Sequence, residues 1–252
     1  MKLSVCVIAK DEERDLPALL ASLEPLRAAL APGFEAVVLD SESADGTRRL
    51  AEAWGARTAR RRFDDFAVQK QACVDLAAGE WVLSLDADER LSPELAAEVA
   101  AAVYDPRDRA GFTLPFEVEF MGRVLRWGGL GGERHLRLFK REKGGFGGNH
   151  VHEGVSLDGP VGRLRAPVRH VPYRDLGEYI EKMERYTERA ARRRHEAGRR
   201  ACWTDHLRPF WELFARLVLK GGILDGRPGV TWAGLSAFHT WLKYARLAEL
   251  GP

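Results

Sequence analysis

Residues 79–89 read GEWVLSLDADE, a short apolar run that ends in acidic side chains. The run 81–85 predicts a buried strand, and Asp86 and Asp88 flank one small residue where that strand ends. Carboxylate oxygens are hard ligands that suit Mg²⁺ or Mn²⁺, and these ions also bind pyrophosphate oxygens. Acidic residues are also common in turns that hold no ligand. The pair therefore indicates a metal site only if other polar residues reach the same edge of the sheet.

The surrounding sequence predicts the rest of that sheet. Residues 3–9 and 35–39 are further apolar runs typical of buried strands, and a weak strand is predicted near residues 57–59. Helical spacing and capping residues predict helices at 15–30, 43–54, 66–78 and 92–104. Strands that alternate with helices make right-handed crossovers, so we expect an α/β fold with a mostly parallel sheet covered on both faces.

Polar clusters follow three of these strands, at residues 10–13, 40–43 and 86–89. In parallel sheets, ligands bind outside the carboxyl ends of the strands. Asp40 ends a buried strand, and we expect its carboxylate to accept a hydrogen bond from a base or a ribose hydroxyl. Ser43 or Asp45 is expected to cap the helix that follows.

The pattern changes after residue 104. Residues 111–120 predict a strand, glycines are dense from 122 to 148, and the chain becomes helical and basic from residue 176. The cations of the basic run 134–141 bind pyrophosphate, bind another anionic substrate, or form a solvated strand face. We divide the chain into residues 1–172, a catalytic domain, and residues 173–252, a helical C-terminal extension.

Composition excludes several classes of protein. The formal net charge is only +2, so the balance of charges does not indicate a nucleic-acid binder. Three widely spaced cysteines form neither a disulfide framework nor a zinc cluster, which favours a reducing cytosol. The N-terminus lacks the pattern of a signal peptide, and no stretch is apolar enough to span a bilayer. We therefore expect a cytoplasmic protein whose membrane contact is peripheral.

Seven segments of the chain resemble a known family. Residues 4–12, 38–47 and 79–89 are similar, in order and spacing, to successive motifs of glycosyltransferase family 2. Residues 86–90, 136–139, 151–153 and 224–229 resemble its lipopolysaccharide-core glucosyltransferase group. The resemblance implies a GT-A fold, a Rossmann-like sheet flanked by helices. It also implies a nucleoside-diphosphate-sugar donor, a divalent metal (Mg or Mn) and inversion at the anomeric carbon.

The resemblance also assigns roles to individual residues. Asp88 would be the main metal ligand, and Asp86 would contact the metal or the ribose. Lys70 stands where the family has a basic residue near the nucleotide phosphates. The nucleoside pocket would be lined by Ala9, Asp11, Glu13 and Asp40. Position 11 is often Asn in relatives, so here an amide donor is lost.

Inversion requires one general base that deprotonates the acceptor hydroxyl. Relatives carry an acid three positions before the Leu-Arg-Leu-Phe run, which here is Glu133; the alternative is a solvated loop acid, and Glu153 is the second candidate. His150 and His152 share one face if they lie on a strand. His152 resembles a family position that faces the site, so it either completes the metal shell, contacts the pyrophosphate, or is a structural loop residue.

Residues 209–219 predict an amphipathic helix. Glu212, Arg216 and Lys220 form a polar stripe, and the other side chains are mostly aromatic or aliphatic. Such a helix beside arginines is typical of a membrane interface, although a helix packed inside the protein or in a dimer has the same pattern. A second such helix is predicted at 232–247. The resemblance implies transfer of a hexose such as glucose to a lipid-linked or lipopolysaccharide-core acceptor. With such an acceptor, we expect the enzyme to lie at the inner face of the cytoplasmic membrane.

Three other functions require sequence features that can be compared with this chain. A dinucleotide oxidoreductase requires a glycine-rich turn after the first strand, and residues 9–13 contain no glycine; a P-loop is absent as well. A sugar nucleotidyltransferase shares the metal carboxylates but should have a glycine-rich loop there. A non-catalytic protein that binds membrane surfaces would use the basic helices alone, without the acidic pair. The oligomeric state stays open.

Overall fold

The computed structural model describes residues 1–147 and 154–251, which form two compact units. The first unit contains residues 1–116 and 133–170, and the second contains residues 117–132 and the chain from residue 171 onward. The division of the sequence at 172/173 places residues 117–132 in the first part, whereas they pack with the second unit.

Strands and helices alternate through the first half of the chain, and long helices dominate the end. In chain order the elements are β1 (Leu3–Ala9), α1 (Leu16–Ser22), α2 (Glu24–Leu30), β2 (Phe34–Asp40), α3 (Thr47–Trp54), β3 (Arg57–Arg60), α4 (Phe66–Leu76), β4 (Trp81–Asp86), β5 (Glu89–Leu91), α5 (Pro93–Tyr104), β6 (Gly111–Phe120), β7 (Arg123–Leu125), β8 (Arg134–Lys140), β9 (Gly144–Phe146), β10 (Val155–Leu157), β11 (Val161–Arg163), β12 (Val168–His170), α6 (Leu176–Glu196), α7 (Arg208–Phe214) and α8 (Gly226–Glu249).

The main sheet has the strand order β3-β2-β1-β4-β8-β6-β12-β5, and β7 and β11 each pair with β6. β1 is parallel to both β2 and β4, and β2 is parallel to β3. β8 runs antiparallel between β4 and β6. The predicted α/β class, with a mostly parallel sheet flanked by helices and C-terminal helices after it, is confirmed.

The register of the central strands brings their polar ends to one edge. Ala9 lies opposite Asp40 on β2, and Ile8 lies opposite Asp86 on β4. β1 and β4 occupy the centre because both of their faces are apolar, and their side chains are almost fully buried. The predicted meeting of the strand ends at one edge is therefore confirmed.

Helix ends explain where the structure differs from the predicted boundaries. Ser92 caps α5 as predicted, since its Oγ accepts a hydrogen bond from Leu95 N. The helix predicted at 15–30 breaks at Leu23, because Pro25 has no N–H to continue the hydrogen-bond ladder. The helix predicted from residue 43 begins at Thr47, whose N–H is accepted by Asp45.

The second unit has its own aromatic core. Phe120, Tyr179 and Met183 are buried, and Trp232 of α8 packs against Phe120 with ring centroids 5.2 Å apart. Asp225, in a 3₁₀ turn before α8, accepts hydrogen bonds from the backbone N–H groups of Arg126 and Trp127. The segment 224–229, which resembles a family motif, thus holds part of the glycine-rich loop of the same unit through hydrogen bonds to Asp225.

None of the helices in the described part of the chain has the length and apolar character that a bilayer span requires.

Candidate active site

Asp86, at the end of β4, lies between two cations. Lys70 Nζ from α4 is 2.8 Å from Asp86 Oδ1, and Arg137 Nη2 from β8 is 3.0 Å from Asp86 Oδ2. Burial alone would raise the pKa of Asp86, but the positive charges of Arg137 and Lys70 outweigh it and hold that pKa below its usual range. Asp86 is therefore an ionised carboxylate whose charge is already balanced by protein groups.

Glu89 is a further member of this cluster that the sequence did not single out. Its carboxylate accepts hydrogen bonds from Asp86 N at 2.9 Å and from Arg137 Nη2 at 2.9 Å, and only 1% of the residue is exposed. Burial, with the nearby negative charges of Asp86 and Asp88, raises the pKa of Glu89 to about 7, although Arg137 opposes the shift. Through its hydrogen bond with Asp86 N, Glu89 thus stabilises the turn that carries Asp88.

Asp88 faces a histidine that lies 82 residues away in the sequence. His170 ends β12, which pairs antiparallel with β5 and places His170 opposite Glu89. His170 Nε2 lies 3.3 Å from Asp88 Oδ2. Burial lowers the pKa of His170, but the hydrogen bond to Asp88 and its charge outweigh this and raise the pKa. One carboxylate and one imidazole are thus adjacent at the end of the sheet.

This pair determines how a divalent metal fits the site. A carboxylate oxygen and an imidazole nitrogen are ligands that Mn²⁺ accepts, and together they offer two positions of its coordination shell. Among residues 1–147 and 154–251, no three or more His, Cys, Asp and Glu side chains group as a metal site. The described residues thus fit a divalent ion by offering it two ligands, and a bound anion such as a diphosphate could supply others.

Arg137 carries a second feature of a ligand site. Its Nη2 is used by Asp86 and Glu89, but its buried Nε has no hydrogen-bond partner in the described chain. Buried donors in proteins are nearly always satisfied, so an unpaired donor beside the acidic cluster indicates a missing acceptor. A phosphate oxygen is one such acceptor.

The loops after β1 and β2 are tied to each other. Asp11 N donates to Ser43 Oγ, and Ala44 N donates to Asp11 Oδ1 at 2.8 Å. Glu13 Oε2 accepts the N–H of Gly46 at 2.8 Å. Asp11 and Glu13 therefore shape this edge by binding backbone, and Ser43 supports the first loop instead of capping α3.

Asp40 lies at the base of this edge, next to Ala9. Only 2% of Asp40 is exposed, and both carboxylate oxygens accept long hydrogen bonds of 3.3 Å from Ser43 N. Behind it, the buried Gln69 of α4 donates to Ser41 Oγ at 2.9 Å. Sequence analysis had no basis for selecting Gln69, since this residue lies within a helix predicted only from its pattern.

Glu133 precedes β8 and is exposed. Its Oε2 lies 3.7 Å from His135 Nε2, and the His135 ring packs edge-on against Phe116. Burial and the positive charge of Arg137 lower the pKa of His135, with a smaller effect from His170. Glu133 therefore contacts His135, which lies on the same strand as Arg137.

The other cations of the basic run 134–141 have structural partners. Arg134 Nη2 donates to Thr113 O, Lys140 lies over the Trp81 ring, and Arg141 Nε donates to Gly79 O. Of the four, Arg137 is the one that contacts the acidic cluster. His150, His152 and Glu153 lie outside the described residues, so the roles predicted for them stay predictions.

Comparison with known proteins decides the family. The sequence model of glycosyl transferase family 2 matches residues 4–154, which is more than half of the chain. The chain belongs to glycosyl transferase family 2.

Two glycosyltransferases are similar to this chain over almost its whole length. The lipopolysaccharide core biosynthesis glycosyltransferase LpsC of Rhizobium meliloti is 26% identical over 264 residues, covering 99% of this chain and 95% of the relative. An uncharacterized glycosyltransferase of Rickettsia typhi is 21% identical over an alignment that covers 99% of this chain and 87% of the relative. The predicted resemblance to the lipopolysaccharide-core group is therefore confirmed.

Solved structures of other glycosyltransferases share the fold of this family 2 member. S. aureus TarS 1–349, crystallised with UDP-GlcNAc, has a TM-score of 0.52 at 15% identity and covers 99% of this chain and 84% of its own. The mannosyltransferase PcManGT of Pyrobaculum calidifontis, in complex with GDP-Man and Mn²⁺, has a TM-score of 0.51 at 18% identity, with coverage of 100% and 88%. The predicted GT-A fold is thus confirmed.

Proposed function

We propose that this chain is an inverting, metal-dependent glycosyltransferase that uses a nucleoside-diphosphate-sugar donor. The observation that carries the proposal is the Asp88–His170 pair beside the cations Lys70 and Arg137, at the sheet edge that also holds Asp40. Asp40 and Asp86 lie on strands separated by β1, so they are roughly 10 Å apart across the sheet. That span has room for a nucleotide.

Asp88 and His170 would hold the divalent ion, with Asp86 as a charge-balanced neighbour. When bound, the ion supplies positive charge for the diphosphate leaving group. Mn²⁺ in the PcManGT complex and the donor complexes of both solved structures support this assignment for the fold. Lys70 and Arg137 contact both oxygens of Asp86, so we propose that Asp86 contacts the metal or the ribose with its charge balanced by these two cations.

The remaining residues would orient the donor. Asp40 accepts a hydrogen bond from the base or ribose, at the end of the nucleoside pocket formed by Ala9, Asp11 and Glu13. The free Nε–H of Arg137 and the ammonium of Lys70 are suited to phosphate oxygens. Because these cations already lie in place on a strand and a helix, they need little reorganisation as charge develops on the diphosphate.

Glu133 is proposed as the general base. Its carboxylate takes the proton of the acceptor hydroxyl while that oxygen bonds to the anomeric carbon. The bond from that carbon to the diphosphate breaks, and its electron pair leaves with the nucleoside diphosphate. One displacement from the opposite face inverts the anomeric centre. Glu133 is exposed, which leaves space for an acceptor sugar beside it.

The acceptor is proposed to be a lipid-linked glycan such as lipopolysaccharide core, and the sugar a hexose such as glucose. LpsC, whose name assigns it to core biosynthesis, supports this choice because the likeness covers nearly all of both chains. Such an acceptor places the protein at the inner face of the cytoplasmic membrane.

Thermal unfolding with a panel of nucleoside-diphosphate sugars, with and without Mn²⁺, tests the donor and metal assignments. Donor and metal together should raise the melting temperature, because a ligand that binds the folded state stabilises it by mass action. Asp88→Ala should abolish the metal-dependent part of the rise, whereas Asp105→Ala, on an exposed surface, should leave it intact. An unchanged rise in Asp88→Ala would refute the metal assignment.

Product analysis tests the reaction. Release of a nucleoside diphosphate supports glycosyl transfer, and release of pyrophosphate would identify a nucleotidyltransferase instead. Glu133→Gln should keep donor binding and lose transfer by about 100-fold or more, as expected for removal of a general base. Glu142→Gln, an exposed neighbour on the turn after β8, is the matched control.

A further inference from the structure

The second unit exposes a large apolar surface. Nine large apolar side chains between residues 203 and 224 are exposed, two of them, Trp203 and Phe210, by 74% and 72%. We call this set the aromatic surface; its members are Trp203, Leu207, Phe210, Trp211, Phe214, Val218, Leu219, Ile223 and Leu224. Soluble proteins rarely expose so many large apolar side chains within one short segment unless the surface has a partner.

Two polar side chains of the same segment, Glu212 and Arg216, are partly buried against the protein. Arg216 Nε is 2.6 Å from Glu212 Oε1, and Arg216 Nη1 donates to Gly128 O at 2.9 Å. In α7 and the π-helical turn after it (Ala215–Leu219), Glu212 and Arg216 therefore face the protein while the aromatic side faces outward, the reverse of an ordinary surface helix. An inverted helix is stable when an apolar phase or partner covers its outer face.

The exposed charged side chains of residues 199–227 are all cationic. Asp205 and Asp225 are buried, the first paired with Arg199 and Arg208, and Glu212 is paired with Arg216. These three are the only carboxylates between residues 199 and 227. The exposed charged side chains of that stretch are instead Arg200, Arg208, Lys220 and Arg227.

Exposed tryptophans beside cations distinguish a bilayer from a protein partner. Tryptophan favours the membrane–water interface, and lysine and arginine are attracted to anionic headgroups. α8 adds a third exposed tryptophan, Trp241, which stacks on Phe238 with ring centroids 5.6 Å apart. A protein partner would have to supply both a broad apolar face and a ring of carboxylates.

We propose that the aromatic surface docks on an anionic phospholipid bilayer, with its tryptophans and phenylalanines in the headgroup region. This proposal deepens the proposed function, because it specifies which residues bring the enzyme to a membrane-anchored acceptor. Docking requires neither donor nor metal, so binding to vesicles and glycosyl transfer can fail independently.

Sedimentation of the full chain with lipid vesicles tests the proposal. The chain should bind vesicles that contain about one third phosphatidylglycerol, bind phosphatidylcholine vesicles much more weakly, and dissociate as salt is raised. Phe210→Ser/Trp211→Ser should weaken binding about tenfold or more, because two aromatic side chains no longer enter the interface. Both side chains are exposed, so the fold should survive, and thermal unfolding of the variant checks this.

The matched control is Tyr104→Ser/Met121→Ser, which removes two exposed apolar side chains outside the aromatic surface. Its vesicle binding should equal that of the wild type. Equal binding by Phe210→Ser/Trp211→Ser and the wild type would overturn the proposal. The proposal would also be overturned if the chain did not bind anionic vesicles but formed a dimer in sedimentation velocity, and if the same double substitution dissociated that dimer.

Discussion

Replacing Arg137 with methionine would remove the guanidinium that links Asp86 to Glu89. Arg137 is largely buried, with 13% of its side chain exposed, and its Nη2 is 3.0 Å from Asp86 Oδ2 and 2.9 Å from Glu89 Oε1. Asp86 would keep Lys70 as a partner, but Glu89 would lose its cation inside the protein. Methionine fills much of the same volume, so the change tests the charge and not a cavity.

Breaking a buried ion pair by removing one partner costs about 3–5 kcal/mol, because the other charge stays buried and uncompensated. Glu89 can lower this cost by binding a proton, since its pKa is already raised to about 7. We therefore expect a loss of about 2–3 kcal/mol near pH 7. For a chain of this length, that loss lowers the melting temperature by about 5–10 °C.

Urea unfolding in a chelator measures this loss, with Arg48→Met as the matched control. Arg48 pairs with Glu52 on the exposed face of α3, where solvent screens the pair and its contribution to stability is small. Adding Glu89→Gln to Arg137→Met should restore at least half of the lost stability, because the uncompensated charge is gone. If Arg137→Met costs no more than Arg48→Met, or the second substitution restores nothing, the buried network does not have the energetics described.

Two further predictions concern the second unit. Gly229→Ala should destabilise the protein by about 2 kcal/mol or more, because its Cβ would lie 2.1 Å from Gly222 O, whereas Gly234→Ala, in open space on α8, should be neutral or stabilising; equal urea midpoints for the two variants would contradict the close approach. Glu178→Gln should cost about 1 kcal/mol at pH 7, because Glu178 accepts from Arg174 N and pairs with Lys182. Despite partial burial, these partners lower the pKa of Glu178 from 4.5 to about 2, so the cost should shrink as pH falls from about 4.5 towards 2. A cost that is the same at pH 7 and pH 3 would argue against this ion pair.

Local patterns of the sequence were enough for the framework of the first unit. The apolar runs of β1, β2 and β4 predicted buried parallel strands, because a strand buried on both faces carries a continuous apolar signal. Ser92 and Pro93 predicted the start of α5, because capping involves only neighbours in the chain. The same runs located Asp40, Asp86 and Asp88 at one edge of the sheet.

Pairings between distant residues had no local signal. No local pattern near His170 predicts that β12 pairs with β5 and brings the His170 ring to Asp88, because that contact depends on strand order. Glu89 and Arg137 likewise became members of the site only through β4, β5 and β8. The ion pairs of Asp86 were also invisible, although they decide how much of its charge is left for a metal.

The sequence by itself determined the periodicity of residues 209–219, a polar stripe beside an aromatic face, and equally the order of strands and helices that specifies the family fold. Only the tertiary structure decided which of the two faces of that segment is turned inward. The physical reason is that periodicity fixes how side chains are distributed around a helix axis, whereas the rotation of the helix about that axis depends on its partners. Here one such partner is Gly128, whose carbonyl accepts a hydrogen bond from Arg216 of the polar stripe, while Phe210 and Trp211 of the aromatic face stay exposed.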